Sequence, residues 1–179
     1  MIAVFLADGF EEIEALAVVD ILRRAQLEVV TVGVGTEMPT GAHGIAVQAD
    51  MDEGNLETAK LAAVVLPGGM PGTLNLEKSP VVQQVVAYAM EQRLPVGAIC
   101  AAPSILGHGG YLQGLHATCY PGFENELTGA IYEAGGVVTD GTVTTAAGAG
   151  VAVDFALELV RQLVSVSVAE EIRRGIQCR

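Results

Sequence analysis

Along this chain, unbroken apolar runs alternate with segments whose apolar residues recur at helical spacing. The first run, IAVFLA at 2–7, is stopped by Asp8-Gly9. Behind it, 11–25 carries Ile13, Leu16, Ala17, Val18, Ile21, Leu22 and Ala25 at the helical period, with Asp20, Arg23 and Arg24 on the other side. Acids at its start and arginines at its end complement the dipole of such a helix. A second strand is read at 27–34, then a turn and a short extended piece at 40–50 and a short helix at 55–60. LAAVVLPGG (61–69) reads as a buried strand ending in a glycine-rich turn. Ser79 and Pro80 open a helix over 79–93 as N-cap and first helical residue. A strand at 94–99 leads at Cys100 into a short helix that ends in GHGG. The spacing predicts an extended piece at 116–120, a helix over 125–135, a hairpin over 136–148 turning at Asp140-Gly141, and helices at 151–164 and 168–176.

Strands alternating with helices imply right-handed crossovers and one open, mostly parallel sheet sandwiched between helices. With 179 residues, no repeat and no linker, the expectation is a single domain, 1–179. The core is aliphatic: 51% of residues are hydrophobic, only 4% are aromatic, and Trp is absent. Buried parallel strands use that mixture.

A formal net charge of −12 leaves few cations for phosphates, so nucleic acid and anionic membrane surfaces are excluded as partners. No uncharged apolar run reaches the ~18 residues of a membrane span, and the first residues lack the basic start of a secretory signal. Cys100, Cys119 and Cys178 are an odd number without metal-like spacing, so reduced thiols and a cytoplasmic setting are expected. His43, His108 and His116 form no ligand pattern with them, and no metal is expected.

In open α/β sheets the site lies beyond the carboxyl ends of the strands. Three loops fall there: Asp8–Glu14, Pro67–Gly72 and the turn at Cys100. Cys100 stands where a strand becomes a helix. It is either a packed small hydrophobe or a nucleophile whose pKa the amides and the helix dipole would lower. Glu14 shares a helix face with Ala17, Val18, Ile21 and Ala25, the face turned to the core. It is either satisfied by first-turn amides or paired with another group, since carboxylates are seldom buried alone. Were it to reach Cys100, the two would share one proton and titrate as a unit. Gly68 and Gly69 let backbone approach a ligand, and the Gly69 and Ala101 N–H groups could form an oxyanion hole. LPGGMPG lacks the ending of a phosphate loop, and Gly148-Ala149-Gly150 lacks a third glycine, so nucleotide binding is not expected. Cys119 reads as packed and Cys178 as part of a tail.

Taken together, DGFEEIEA, VVLPGGMPG, AICAAP, TCYPGFE at 118–124 and GAGVAVDFAL at 148–157 resemble the ThiJ/PfpI superfamily, in the branch of the parkinsonism-associated deglycase. The resemblance covers almost the whole chain. It implies a flavodoxin-like sandwich, usually a homodimer, with a nucleophilic cysteine at Cys100 on a strained elbow. It further implies a protonated glutamate partner at Glu14 and oxyanion-type amides at Gly69 and Ala101. Gly68, Tyr120 and Pro121 are placed at the substrate pocket. Family activities include cofactor-independent conversion of methylglyoxal or glyoxal to hydroxy acids, deglycation, oxidative-stress sensing through cysteine sulfinate, and holdase chaperoning. Departures matter too. Ala101 replaces the histidine of the peptidase branch, so peptidase activity is not implied. Tyr120 stands where several relatives have histidine, and Ala147 where some have arginine. The expected function is a cysteine-dependent enzyme acting on small 2-oxoaldehydes, of the glyoxalase or deglycase type; the alternatives are a redox sensor acting through Cys100 and a holdase.

Overall fold

The computed structural model describes residues 1–178. Strands β1 (Ile2–Ala7), β2 (Val29–Val34), β3 (Met51–Asp52), β4 (Ala63–Leu66), β5 (Val96–Ile99), β8 (Val137–Asp140) and β9 (Val143–Ala146) form one sheet in the order β3-β2-β1-β4-β5-β9-β8. Every pairing is parallel except the β8–β9 hairpin. A two-stranded parallel piece, β6 (His116–Ala117) with β7 (Ile131–Tyr132), stands apart from it. The expected flavodoxin-like, mostly parallel sandwich is what forms.

The period-two geometry of a strand divides the core. From β1, Ile2, Val4 and Leu6 enter one cluster, with Val18 and Leu22 of α1 (Glu12–Arg24), Phe155 and Leu159 of α5 (Ala152–Leu163) and Ile172 of α6 (Val166–Gly175). Ala3, Phe5 and Ala7 enter the other. There they meet Leu76 of α2 (Gly72–Lys78), Val82 and Val86 of α3 (Pro80–Glu91) and Leu106 of α4 (Pro103–His108). Both faces are covered, so all six residues of β1 are buried. None of the described helices is long and apolar enough to cross a membrane.

Several elements follow from local signals. Ser79 Oγ accepts the Val82 N–H as an N-cap with Pro80 first in the helix, and Asp140-Gly141 turns the hairpin. Two readings fail. The helix expected over 125–135 is absent: after a 3-10 turn at Glu124–Glu126, Gly129 takes φ +83° and breaks any helical run. Ile131 N–H then donates to Leu115 O at 2.8 Å, which pulls the segment alongside β6. Helix α2 was not foreseen, because its short sequence GTLNLEK buries only Gly72, Thr73 and Leu76 and carries little periodicity. The helix expected at 55–60 is two single 3-10 turns.

Strand order reverses direction beside β1: β2 follows on one side and β4 on the other. That switch point opens a crevice at the carboxyl ends of β1, β4 and β5, where the loops carrying Glu14, Gly68 and Cys100 meet.

Candidate active site

Glu14 enters the crevice because its neighbours meet the ordinary needs of the helix start. Glu11 caps α1, accepting the Ile13 N–H at 3.2 Å. Glu12 turns the other way and accepts the backbone N–H of His43 and meets its Nδ1, both at 2.7 Å. Glu14 is left on the core face with Ala15, Val18 and Ile21, only 1% exposed. Its Oε2 accepts the Gly68 N–H at 2.8 Å. Its Oε1 is buried and makes no hydrogen bond among the described residues. Helix periodicity therefore placed Glu14 correctly, and the first-turn amides are not what satisfies it.

Cys100 follows β5 and takes φ +65°, a left-handed conformation that costs a non-glycine residue on the order of 1 kcal/mol or more. The surroundings enforce it. Cys100 N–H donates to Ala146 O at 2.8 Å, its carbonyl accepts the Tyr120 N–H at 2.8 Å, and Ala102 N–H closes the turn onto Ile99 O at 3.1 Å. The thiol thus projects from a tight strand-to-helix elbow beside the Glu14 carboxyl, and the two groups perturb each other's titration. The backbone N–H groups of Gly69 and Ala101 are near enough to favour its ionised form.

Glycine at 68 sets how close the pair can come. A Cβ there would lie 2.6 Å from Cys100 Cβ and 2.7 Å from Glu14 Oε2. Gly69, at φ +91°, can aim its amide at the sulfur only from a conformation that other residues avoid. Glu11 N–H donates to Gly68 O at 2.9 Å, which ties the loop after β4 to the start of α1.

Burial drives the titration of both groups. It pushes the Glu14 carboxyl up to about 7, with hydrogen bonds from Cys100 and Gly68 opposing and the Glu11 charge adding slightly. It also pushes the Cys100 thiol up, to about 12, reinforced by the Glu14 charge and the hydrogen bond to it, while the Gly69 and Ala101 amides pull the other way. The lowered thiol pKa expected from sequence is thus reversed. The helix that follows begins only at Pro103 and has six residues, and a carboxylate lies against the sulfur. Burial and the Glu14 charge both oppose a thiolate, so near neutral pH the pair does not hold two negative charges and shares one proton. The carboxylate is positioned to act as the base for that thiol.

Tyr120 is half exposed beside the elbow and lines a groove with Ala147, Gly148, Ala149, Gly150 and Val151. Pro121 is exposed and is not part of that lining. The groove's far wall was missed by sequence reasoning. The Gly148-Ala149-Gly150 run and Ala147 stand out in the sequence as a family motif and a departure from it, but nothing there marks them as a wall beside Tyr120. Cys119 is buried and burial raises its thiol pKa to about 11, as suits a packed residue. Glu11, Glu12 and His43 bring ligand-type atoms within 4.8 Å of one another. They sit at a helix N-terminus, whose dipole opposes a cation.

The chain as a whole is similar to known proteins. The DJ-1/PfpI family matches over residues 1–162. Protein DJ-1 homolog B of Arabidopsis thaliana is 33% identical over 163 residues; the alignment takes in 90% of this chain and 37% of that longer protein. The glutathione-independent glyoxalase DJR-1.2 of Caenorhabditis elegans is 31% identical over 156 residues, covering 86% of this chain and 82% of that protein. Among solved structures, oxidized DJ-1 of Toxoplasma gondii superposes with a TM-score of 0.95 at 32% identity, over 98% of this chain and 97% of that one.

Proposed function

This chain belongs to the DJ-1/PfpI family, and from that premise we propose that it is a cofactor-independent, cysteine-dependent enzyme converting small 2-oxoaldehydes such as methylglyoxal and glyoxal into 2-hydroxy acids. One observation carries the reading: Glu14 Oε1 is buried without a partner, on a carboxyl whose charge acts directly on the Cys100 thiol. Leaving such an atom unsatisfied costs about 1–3 kcal/mol, a cost removed once the carboxyl, holding the thiol proton, donates it to a substrate oxygen. The named activity of the nematode relative agrees with the reaction class.

The reaction runs as follows. Cys100 passes its proton to the Glu14 carboxylate as sulfur bonds to the aldehyde carbon, and the carbonyl electron pair moves onto oxygen, held by the Gly69 and Ala101 N–H groups. Glu14 returns that proton to the oxyanion, giving a hemithioacetal. The carboxylate then takes the hydrogen from this carbon as a proton and delivers it to the neighbouring carbonyl carbon by way of an enediol. The first carbon is now a thioester and the second a carbinol. Water cleaves the thioester, restoring the thiol and releasing the hydroxy acid. One water is added in all, and oxidation of one carbon balances reduction of the other.

The deciding experiment is quantification of lactate from methylglyoxal by the protein, Cys100→Ser and Glu14→Gln. Many turnovers by the parent and none by either variant is the expected result. Lactate no higher than the Cys100→Ser background overturns the reading.

A second reading rests on the same donors. Two amides and a protonated Glu14 around the sulfur would hold the oxygens of a sulfinate, so Cys100 could report oxidation. It ranks second because the reaction named for the nematode relative supports the first reading, and none of the relatives above is named for sensing. Gain of two oxygens on Cys100 under mild peroxide, without turnover of aldehyde, would reverse that order. In either reading the expected setting is cytoplasmic, and the expected assembly is a homodimer with neither nucleic acid nor membrane as partner.

A further inference from the structure

Gly148, having no Cβ, lets the Tyr120 ring close on the backbone beside Glu14. A Cβ at that position would lie 3.3 Å from Cδ2 and 3.8 Å from Cε2 of Tyr120, and 4.0 Å from Oε1 of Glu14. One point is thus bounded by an aromatic ring and by the buried carboxyl oxygen that has no partner. Tyr120 and Gly148 also line a groove together with Ala147, Ala149, Gly150 and Val151. No Lys, Arg, Asp or Glu lines that groove. The Tyr120 backbone cannot drift from the nucleophile, because its N–H is held by the Cys100 carbonyl at 2.8 Å.

An oxoaldehyde attacked at Cys100, with an oxygen near Glu14, must place its remaining substituent somewhere. Resting on the 2-oxoaldehyde reading above, we infer that Tyr120 and the 147–151 arc form a subsite for an apolar substituent, so that neutral alkyl- and aryl-substituted 2-oxoaldehydes are preferred to glyoxal and to oxoaldehydes bearing carboxylate or phosphate. The physical reasons are direct. An aryl or alkyl group leaves water for an apolar wall and can pack on the Tyr120 ring. An anionic substituent would lose its hydration with no cation in the lining to replace it. The net charge of −12 repels it further.

The test compares kcat/KM for phenylglyoxal, methylglyoxal and glyoxal in the parent, Tyr120→Ala and Tyr120→Phe. The parent should favour phenylglyoxal over glyoxal by about tenfold or more, the scale of one aromatic pair. Tyr120→Ala should lower that ratio about tenfold, and Tyr120→Phe should keep it. A Tyr120→Ala ratio equal to the parent's overturns the proposal, as does a parent that prefers glyoxal. A turnover-independent arm titrates acetophenone, which has the aryl ketone but no aldehyde, and follows the backbone amides of 147–151 by NMR. Saturable shifts there, weakened by Tyr120→Ala, support the subsite even if no aldehyde is turned over, in which case the reaction is what fails. Absence of those shifts overturns the subsite even if lactate forms.

Discussion

The proton on Glu14 controls two measurable quantities. As the base for Cys100, Glu14 must be ionised to take the thiol proton, so kcat/KM for methylglyoxal should rise with pH through about 7. A flat profile across pH 6–8 would remove the carboxylate from that role. The same shift acts on folding. Glu14 titrates near 4.5 in the unfolded chain and near 7 in the folded one. Between those values the folded chain holds more protons, so stability falls as pH rises across that window. The penalty is absent below about pH 4.5 and complete above about 7, where it reaches about 3 kcal/mol. Glu14→Gln, which keeps an acceptor for the Gly68 amide, should therefore melt about 5–10 °C higher than the parent at pH 8. At pH 4.5 the two should melt together, and calorimetry at both pH values checks this. Gly68→Ala addresses the spacing of the pair. A methyl group 2.6 Å from Cys100 Cβ must push the elbow or the carboxyl away. Loss of most activity with a stability cost of about 1–3 kcal/mol is expected; full activity would mean that the separation is not what matters. From sequence, helix periodicity made Glu14 conspicuous and the strand end marked Cys100. The direction of the thiol shift was not legible, because it depends on how deeply the pair is buried together.

At the scale of elements, one side chain links three of them. His108, the last residue of α4, holds Glu77 of α2 through Nδ1 at 2.5 Å and Glu126 of the 3-10 turn through Nε2 at 2.8 Å. Each of these elements follows a loop of the site: the Gly68–Gly69 turn, the Cys100 elbow and the Tyr120 segment. Bonds to Glu77 and then Glu126 raise the His108 pKa above its usual 6.5. This stabilisation is complete below pH 6.5 and is lost as pH rises through the raised value. His108→Gln should accordingly flatten the fall in melting temperature between pH 6 and 8. An unchanged slope would show that the clamp contributes nothing. His108 looked like a simple helix end because its partners lie 31 residues before it and 18 after it. The same contrast separates the elements that could be read from those that could not. Helices α1 and α3 declare themselves by period and caps, and α5 by period alone. Segment 125–135 has helix-like spacing that a single left-handed glycine and a long-range pairing with Leu115 override.

On the scale of the whole molecule, the open sheet explains why the site could be located at all. Alternation of strands and helices fixes the topology, topology fixes the switch point, and the three loops named from sequence converge there. Assembly is less visible in the chain, because α1 does not bury all of its apolar positions. Ile13 and Leu16 are 58% and 37% exposed. Ile45 is also exposed, in a loop held against that helix by the Ala42 N–H to Phe10 O bond. A second copy covering this face would form the expected homodimer. Sedimentation should find a dimer for the parent and a monomer for Ile13→Asp with Leu16→Asp; a dimer in both places the contact elsewhere.

The groups that would hold a developing negative charge, at Gly69 and Ala101, are main-chain amides, and so is the Gly68 donor that steadies Glu14. Only proline could delete them; any other side chain can do no more than crowd them. Positions 68 and 69 are thus selected for what they omit. The walls at Tyr120, Ala147 and Val151 answer to no such restriction. Over generations, preference among aldehydes could drift while the nucleophile and its anion cradle stay as they are, so that substrate choice and reactivity are inherited as separable traits.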